Sequence, residues 1–170
     1  MACNSIVNIL KGCDDNNLGG IYGIYVIDTA SITGSTLDVS AHTITALGNT
    51  EQFSTFEFKR NTGSFVSELA TDLLVGSNIW NSTLTLQFSR RQGTISRALS
   101  ILGEGNRFLD IIVLGADGQY TYFDHMQLNG GSESSGTAKA EGSKYDTTLL
   151  GEMVQRPYFV DPTIIAALIA

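Results

Sequence analysis

The sequence predicts a mainly β domain, a sheet covered by one short helix with a second short helix near its C-terminal end. Three observations predict it. First, Trp80, Ser82, Leu84, Leu86 and Phe88 alternate with Asn81, Thr83, Thr85, Gln87 and Ser89. That period of two marks a strand with one face buried and one face wet. Second, two strand-like runs, Arg107–Leu114 and Tyr120–Met126, flank Ala116-Asp117-Gly118-Gln119. An Asp-Gly pair between such runs is a strong hairpin signal. Third, the composition suits a β protein with many turns: 18 Gly, only 2 Pro, abundant Ser, Thr and Asn, and 42% hydrophobic residues. Charged residues are 16% of the chain, below the roughly 25% of soluble domains. So few charges leave part of the surface poorly solvated, which points to coverage by partners. A length of 170 residues fits one domain over 1–170 with a sizeable core.

In chain order, Cys13-Asp14-Asp15-Asn16-Asn17 reads as a polar turn. It lacks the alternating ligands and closing bidentate Glu of a calcium loop. Gly19-Gly20 leads into Ile21–Asp28, a strand rich in Ile, Tyr and Val. Thr29–Asn49 is Ser-, Thr- and Gly-rich and is expected to form an extended loop or arm, with a weaker strand near Thr43–Leu47. The segment Phe56–Phe65 reads as strand, turn at Asn61-Thr62-Gly63, and strand again. After the alternating strand, Arg90-Arg91-Gln92-Gly93 breaks the pattern. Ile95, Ala98, Leu99 and Leu102 then recur at helical spacing, with Thr94 as the expected N-cap and Gly103 as the stop. Their common face should cover Trp80, Leu84, Leu86 and Phe88.

Arg107–Leu114 is almost continuously apolar, as expected of a strand buried on both faces. Asn129–Ser143 has almost no large apolar residue and carries Gly130, Gly131, Gly136 and Gly142. It is expected to be an extended loop, mobile in the free subunit and ordered by a neighbour. Glu133, Lys139, Glu141 and Lys144 are the charges available for that contact. Tyr145–Val160 reads as a long final strand, bent near Gly151. Asp161-Pro162 supplies an N-cap and first-turn pair for a helix that gathers Ile164, Ile165, Leu168 and Ile169 on one side.

Catalytic constellations are missing from this pattern. No serine sits in a nucleophile elbow, no phosphate loop or zinc-protease helix occurs, and Gly103-Glu104-Gly105 lacks the third glycine of a dinucleotide loop. His125 adjoins Asp124, but neighbours on a regular strand point to opposite faces. Carboxylates are plentiful, with no pattern that pairs two in a cleft. The two histidines, His42 and His125, have no ligand spacing with Cys3 and Cys13, which are expected to be structural thiols. Asn81-Ser82-Thr83 matches a glycosylation sequon, but no basic region and uninterrupted apolar stretch marks a secretion signal. The longest apolar run, Ile164–Ala170, falls well short of the roughly 20 residues that span a membrane. The residues therefore give no catalytic, cofactor-binding or metal-binding site, and a protein made in a cytoplasm.

The net charge of −7 is unevenly distributed. Residues 1–58 and 108–170 each carry a net −5, and residues 59–107 a net +3. A basic middle between acidic ends could serve head-to-tail association through complementary patches. The overall sign disfavours a protein that grips phosphates, and Arg90-Arg91 alone makes a weak case for one.

Several stretches, taken in order, resemble tail proteins of tailed phages infecting Bacteroidetes, crAss-like phages included. They are Gly12–Asp28 (GCDDNNLGGIYGIYVID), the F-x-F-x-R-N-T run Phe56-Glu57-Phe58-Lys59-Arg60-Asn61-Thr62, the T-L-T-L-x-F strand and following helix over Thr83–Leu102, and the Asp-Gly hairpin within Ile111–Tyr122. The resemblance covers most of the chain and rests on pattern and order. The family usually shows D-x-N-G at the hairpin, from which Ala116-Asp117-Gly118 departs. The resemblance implies a tail-tube-like fold, an antiparallel β-sandwich or partly closed barrel with one flanking α-helix. It further implies a non-enzymatic virion protein that forms a ring or tube with copies of itself, six-fold if it follows ordinary tail tubes. Such a conduit meets other tail or neck proteins, passes DNA without specific binding, and needs no cofactor. Extended loops near 29–49 and 129–143 would order on the next ring, and a net acidic lumen would repel the DNA backbone.

A different class of reading is a small β-sandwich binding module, for example one for glycans. It would need Trp80, Tyr120 and Tyr122 to share an exposed face. An enzyme would need a constellation that the residues do not supply.

Overall fold

A computed structural model describes residues 19–57, 59, 61–137 and 140–169. The cysteines Cys3 and Cys13, the polar turn after Cys13, Phe58, Arg60 and Lys139 lie outside the described residues. The chain forms a curled, open half-barrel sheet with two helices. Its elements are β1 (Ile21–Asp28), β2 (Ile32–Asp38), β3 (Thr43–Asn49), β4 (Ser54–Glu57), β5 (Gly63–Asp72), β6 (Ser77–Ser89), α1 (Gly93–Gly103), β7 (Leu109–Gly115), β8 (Tyr120–Ser134), β9 (Lys144–Met153), β10 (Tyr158–Val160) and α2 (Pro162–Leu168). Short 3-10 turns, Thr29–Ser31 and Glu104–Asn106, join β1 to β2 and α1 to β7.

The strands run in the order β2-β3-β10-β8-β7-β1-β4, with β9, β6 and β5 branching from β8. β8 makes both wings possible because it is long. Tyr120–Tyr122 pair with β10, and Gln127–Ser134 pair with β9. A first core lies between the wings and takes Ile24, Val26, Leu84, Leu86, Phe88, Ile111, Val113, Phe123 and Leu149. A second lies on the other side of the main sheet, where Ile27, Ile44, Leu47, Phe53, Ile112 and Tyr122 meet Ile165 and Leu168 of α2. β7 is buried on both faces because successive residues feed different cores, Ile111 and Val113 one and Ile112 the other.

The alternating strand behaves as its period demands: Ser82, Leu84, Leu86 and Phe88 are buried while Asn81 and Thr85 are exposed. Ile95, Leu99 and Leu102 of α1 close this core, with Trp80 partly buried against it. The Ala116–Gln119 turn joins β7 to β8, with Gly118 at φ 82° and the Gly118 amide donating to the Gly115 carbonyl at 3.1 Å. Asp161 caps α2, accepting from the Thr163 amide at 2.9 Å.

Five expectations need correction. Thr29–Asn49 is not a loop or arm: after the Thr29–Ser31 turn it forms the β2–β3 hairpin, in which β3 is the strand expected near Thr43–Leu47. Its turn is held by Asp38, whose Oδ1 accepts from the Ser40 amide at 2.9 Å and the Ala41 amide at 3.2 Å. Asn129–Ser143 is strand as far as Ser134, which leaves 135–137 and 140–143 outside strands among the described residues. Along the strand, β9 offers a backbone ladder, so few apolar side chains are needed. Tyr145–Val160 is two strands rather than one bent strand, because the chain leaves the sheet after Met153 and re-enters at Tyr158, past Pro157. The pairing is not wholly antiparallel, since β10 runs parallel to β3. Thr94 lies inside α1: Gln92 occupies the N-cap position and makes no side-chain cap bond.

Candidate interaction surface

The β5–β6 hairpin is exposed along β5 and at the far end of β6. It pairs from Gly63↔Leu86 to Asp72↔Ser77. The ladder between β6 and β9 stops at Trp80↔Met153. Beyond that point residues 70–79 have, among the described residues, only each other as strand neighbours, so the end of the hairpin projects from the sheet. Asp72 builds the turn: its Oδ1 accepts from the Leu74 amide at 2.9 Å and the Val75 amide at 3.2 Å, and Gly76 enters the left-handed region at φ 72°. With the turn's backbone satisfied locally, the side chains point outward. Leu73, Leu74 and Val75 are 90%, 99% and 78% exposed. Turn tips ordinarily carry Gly, Asn, Asp or Ser. Three adjacent apolar residues at a tip, with Val66, Leu69 and Ile79 also exposed along the hairpin, make a surface suited to another protein.

The sheet does not close. β2, β4 and β5 end its branches, and each has one edge without a strand partner among the described residues. Such edges can pair with another chain.

A second feature is a polar cluster at the bend of β8. Ile111 pairs with Phe123 and Leu109 with Met126, so Asp124 and His125 together face Asp110. This is a β-bulge, and His125 takes φ 51° to make it. Asp110 is buried and holds the bulge: its Oδ1 accepts from the His125 amide at 3.1 Å and the Thr29 hydroxyl at 2.6 Å, while its Oδ2 accepts from the Tyr122 hydroxyl. The bulge lets both Phe123 and Met126, three residues apart, enter the first core. Burial, followed by the charge of Asp110, pushes the Tyr122 phenol above its ordinary pKa. Burial likewise raises the pKa of Asp124, against the opposing pull of His125. Asp124 Oδ1 is buried without a hydrogen-bond partner among the described residues.

The bulge overturns two readings of the sequence. Asp124 and His125 do not point to opposite faces, because His125 Nδ1 lies 3.6 Å from Asp124 Oδ2. Two carboxylates do share a cleft, Asp110 and Asp124, with Tyr122 and His125 beside them. Asp110 is committed to hydrogen bonds through both oxygens, which makes it a clamp for the bulge. No group of three potential metal ligands occurs among the described residues. A lone acid inside the apolar run RFLDIIVL was the available signal for this cluster.

Other candidates disperse. Trp80 sits on β6 with the Arg156 guanidinium 5.9 Å from its ring centre, Tyr120 stacks near Tyr25, and Tyr122 is buried on Asp110. They share no exposed face. His42 Nε2 lies 3.2 Å from the carbonyl oxygens of Arg156 and Pro157. Asn81 of the sequon lies on a strand opposite Glu68 and Glu152. Of the charges expected to dock the 129–143 segment, Lys139 lies outside the described residues and the other three are engaged within the chain. Glu133 pairs with Arg91, Lys144 with Asp146 at 3.2 Å, and Glu141 accepts from the Thr137 amide at 2.6 Å. The basic middle is likewise partly neutralised internally, through Arg91–Glu133 and Arg107–Asp28.

Among the described residues no helix is long and apolar enough to cross a membrane. No family model matches the chain, and no curated protein matches it.

Proposed function

We propose that the chain is a structural subunit of a phage tail. It assembles with copies of itself into a ring or tube that conducts DNA, six-fold in the manner of ordinary tail tubes, and it meets other tail or neck proteins at the ends. The observation that carries this reading is the projecting β5–β6 hairpin with its exposed Leu73-Leu74-Val75 tip. A soluble monomer gains nothing from three solvent-facing apolar residues on an ordered turn, whereas a subunit buries them against its neighbour. The half-barrel supports the same reading, because a curled sheet with free edge strands can continue across a subunit boundary. The order of segments resembling phage tail proteins narrows self-assembly to a tail, and the net charge of −7 suits a wall along which DNA slides. The dispersal of Trp80, Tyr120 and Tyr122 leaves the glycan-binding alternative without a platform.

Sedimentation velocity across a concentration series tests the proposal. Species much larger than 18.2 kDa should grow with concentration. A single monomer boundary at high concentration and low salt contradicts it.

A further inference from the structure

We propose that the cleft between the β5–β6 hairpin and the main sheet is a carboxylate-binding recess, and that its occupant is the chain's own acidic stretch Asp14-Asp15, docked on Arg156. This inference goes beyond the assembly reading and does not rest on it. The cleft measures about 560 Å³. Phe65, Trp80 and Phe159 form its apolar walls, and Phe65 and Phe159 are 37% and 40% exposed. Among the described residues Arg156 is the one cation that lines it. Its guanidinium lies 5.9 Å from the centre of the Trp80 ring and makes no ion pair among the described residues. An arginine stacked on an aromatic face keeps the edge of its fork open to a carboxylate. Asp117 also lines the cleft, but its Oδ1 accepts from the Gln119 amide at 3.1 Å and so serves the β7–β8 turn.

Both sides of the recess are held in place. His42 Nε2 lies 3.2 Å from the carbonyl oxygens of Arg156 and Pro157, which fixes the link between β9 and β10 that carries Arg156. The Gly20 carbonyl accepts from the Ala116 amide at 3.0 Å, which ties the start of β1 to the β7–β8 turn. Gly19 and Gly20 themselves line the cleft, so the chain enters the fold through it.

The sequence just before Gly19 is Asp14-Asp15-Asn16-Asn17-Leu18, two acids and no base. Asp15 precedes Gly19 by four residues, a reach of about 14 Å at roughly 3.5 Å per residue. That reach spans a cavity of this size. Ser64, Gln119 and Thr121 in the lining suit a segment of Asp and Asn, whereas a wholly apolar occupant would leave them unpaired. A tethered occupant also meets its site at the high effective concentration of an intramolecular contact.

Trp80 is the sole tryptophan, so its fluorescence in dilute full-length protein reads the cleft. Asp14→Lys together with Asp15→Lys should increase acrylamide quenching and shift the emission to the red. High salt should do the same to the unchanged protein. A second measurement reads proximity. With Cys3→Ser, Cys13 is the one native thiol left, and Gln119→Cys sets a partner thiol at the cleft. Mild oxidation should join the two within one molecule. Asp14→Lys with Asp15→Lys should slow that reaction severalfold, and Arg156→Glu added to them should restore it. Thr85→Cys, on the outer face of β6, should not react. Equal rates at the two positions, rates indifferent to the charge reversals, or unchanged quenching each overturn the proposal. Crosslinks formed solely between molecules also overturn it, and give the recess to a neighbour's segment.

Discussion

Replacing Leu86 with alanine should destabilise the fold by about 3–5 kcal/mol. Leu86 is 0% exposed and lies in the core between the two wings, with Leu84 and Phe88 beside it on the same face. The change removes three carbons, worth about 0.8 kcal/mol each in lost burial, or roughly 2.4 kcal/mol if the site collapses fully. Collapse is resisted here. The backbone at Leu86 is paired on one side with Gly63 of β5 and on the other with Thr147 of β9, so the strand cannot move inward to fill the gap. A residual cavity raises the cost toward the upper part of the range for Leu-to-Ala changes. Denaturant titration of dilute, unassembled subunit should show a lower midpoint at unchanged slope, the sign of altered stability alone. Thr85, exposed on the other face of β6, is the control: Thr85→Ala should stay within about 0.5 kcal/mol of wild type. A loss below about 1 kcal/mol at Leu86, or equal losses at both positions, would refute the assignment of faces on which the whole first core depends.

Gly151→Ala should cost about 1–3 kcal/mol by overpacking. A Cβ there would run into the sulfur of Met126, which is fully buried and has no solvent to swing into; an unchanged melting temperature would contradict that packing. Asp124→Asn should stabilise the protein at neutral pH, because burial raises the pKa of Asp124 and so penalises its charged form in the fold. For such a group, stability is fully present below the unfolded value of 3.8 and is lost as pH rises through the folded value. The advantage of the variant, followed by melting temperature, should therefore shrink as pH falls toward 3.8; an advantage that grows on acidification would show the opposite sign. Limited proteolysis should cut free subunits within 135–143 and spare assembled particles at the same bonds. Equal cutting in both states would exclude that loop from the assembly contact.

The legible parts of this fold are those where one physical signal acts alone. The period of two at Trp80–Phe88, the Asp-Gly turn after Ala116 and the Asp161-Pro162 cap each depend on neighbouring residues, and each appears where local chemistry puts it. The segments misread depend on distant partners. Thr29–Asn49 has few large apolar residues, and it is the ladder to its own second half, with β10 alongside β3, that makes it sheet. Gly130 and Gly131 look like loop glycines but pair with Thr148 and Thr147. The bulge at Asp124-His125 was hidden for the same reason, since its cause, Asp110, lies on another strand. The candidate docking tip was the opposite case. Leu73-Leu74-Val75 followed by Gly76 reads as more strand in one dimension, and only the turn built by Asp72 exposes it.

Negative-stain microscopy of the purified full-length protein, concentrated at low salt, tests the central claim most directly. The account requires rings or tubes with a central channel, and their loss in Leu74→Asp. Uniform monomer-sized particles from wild-type protein at every concentration would contradict it.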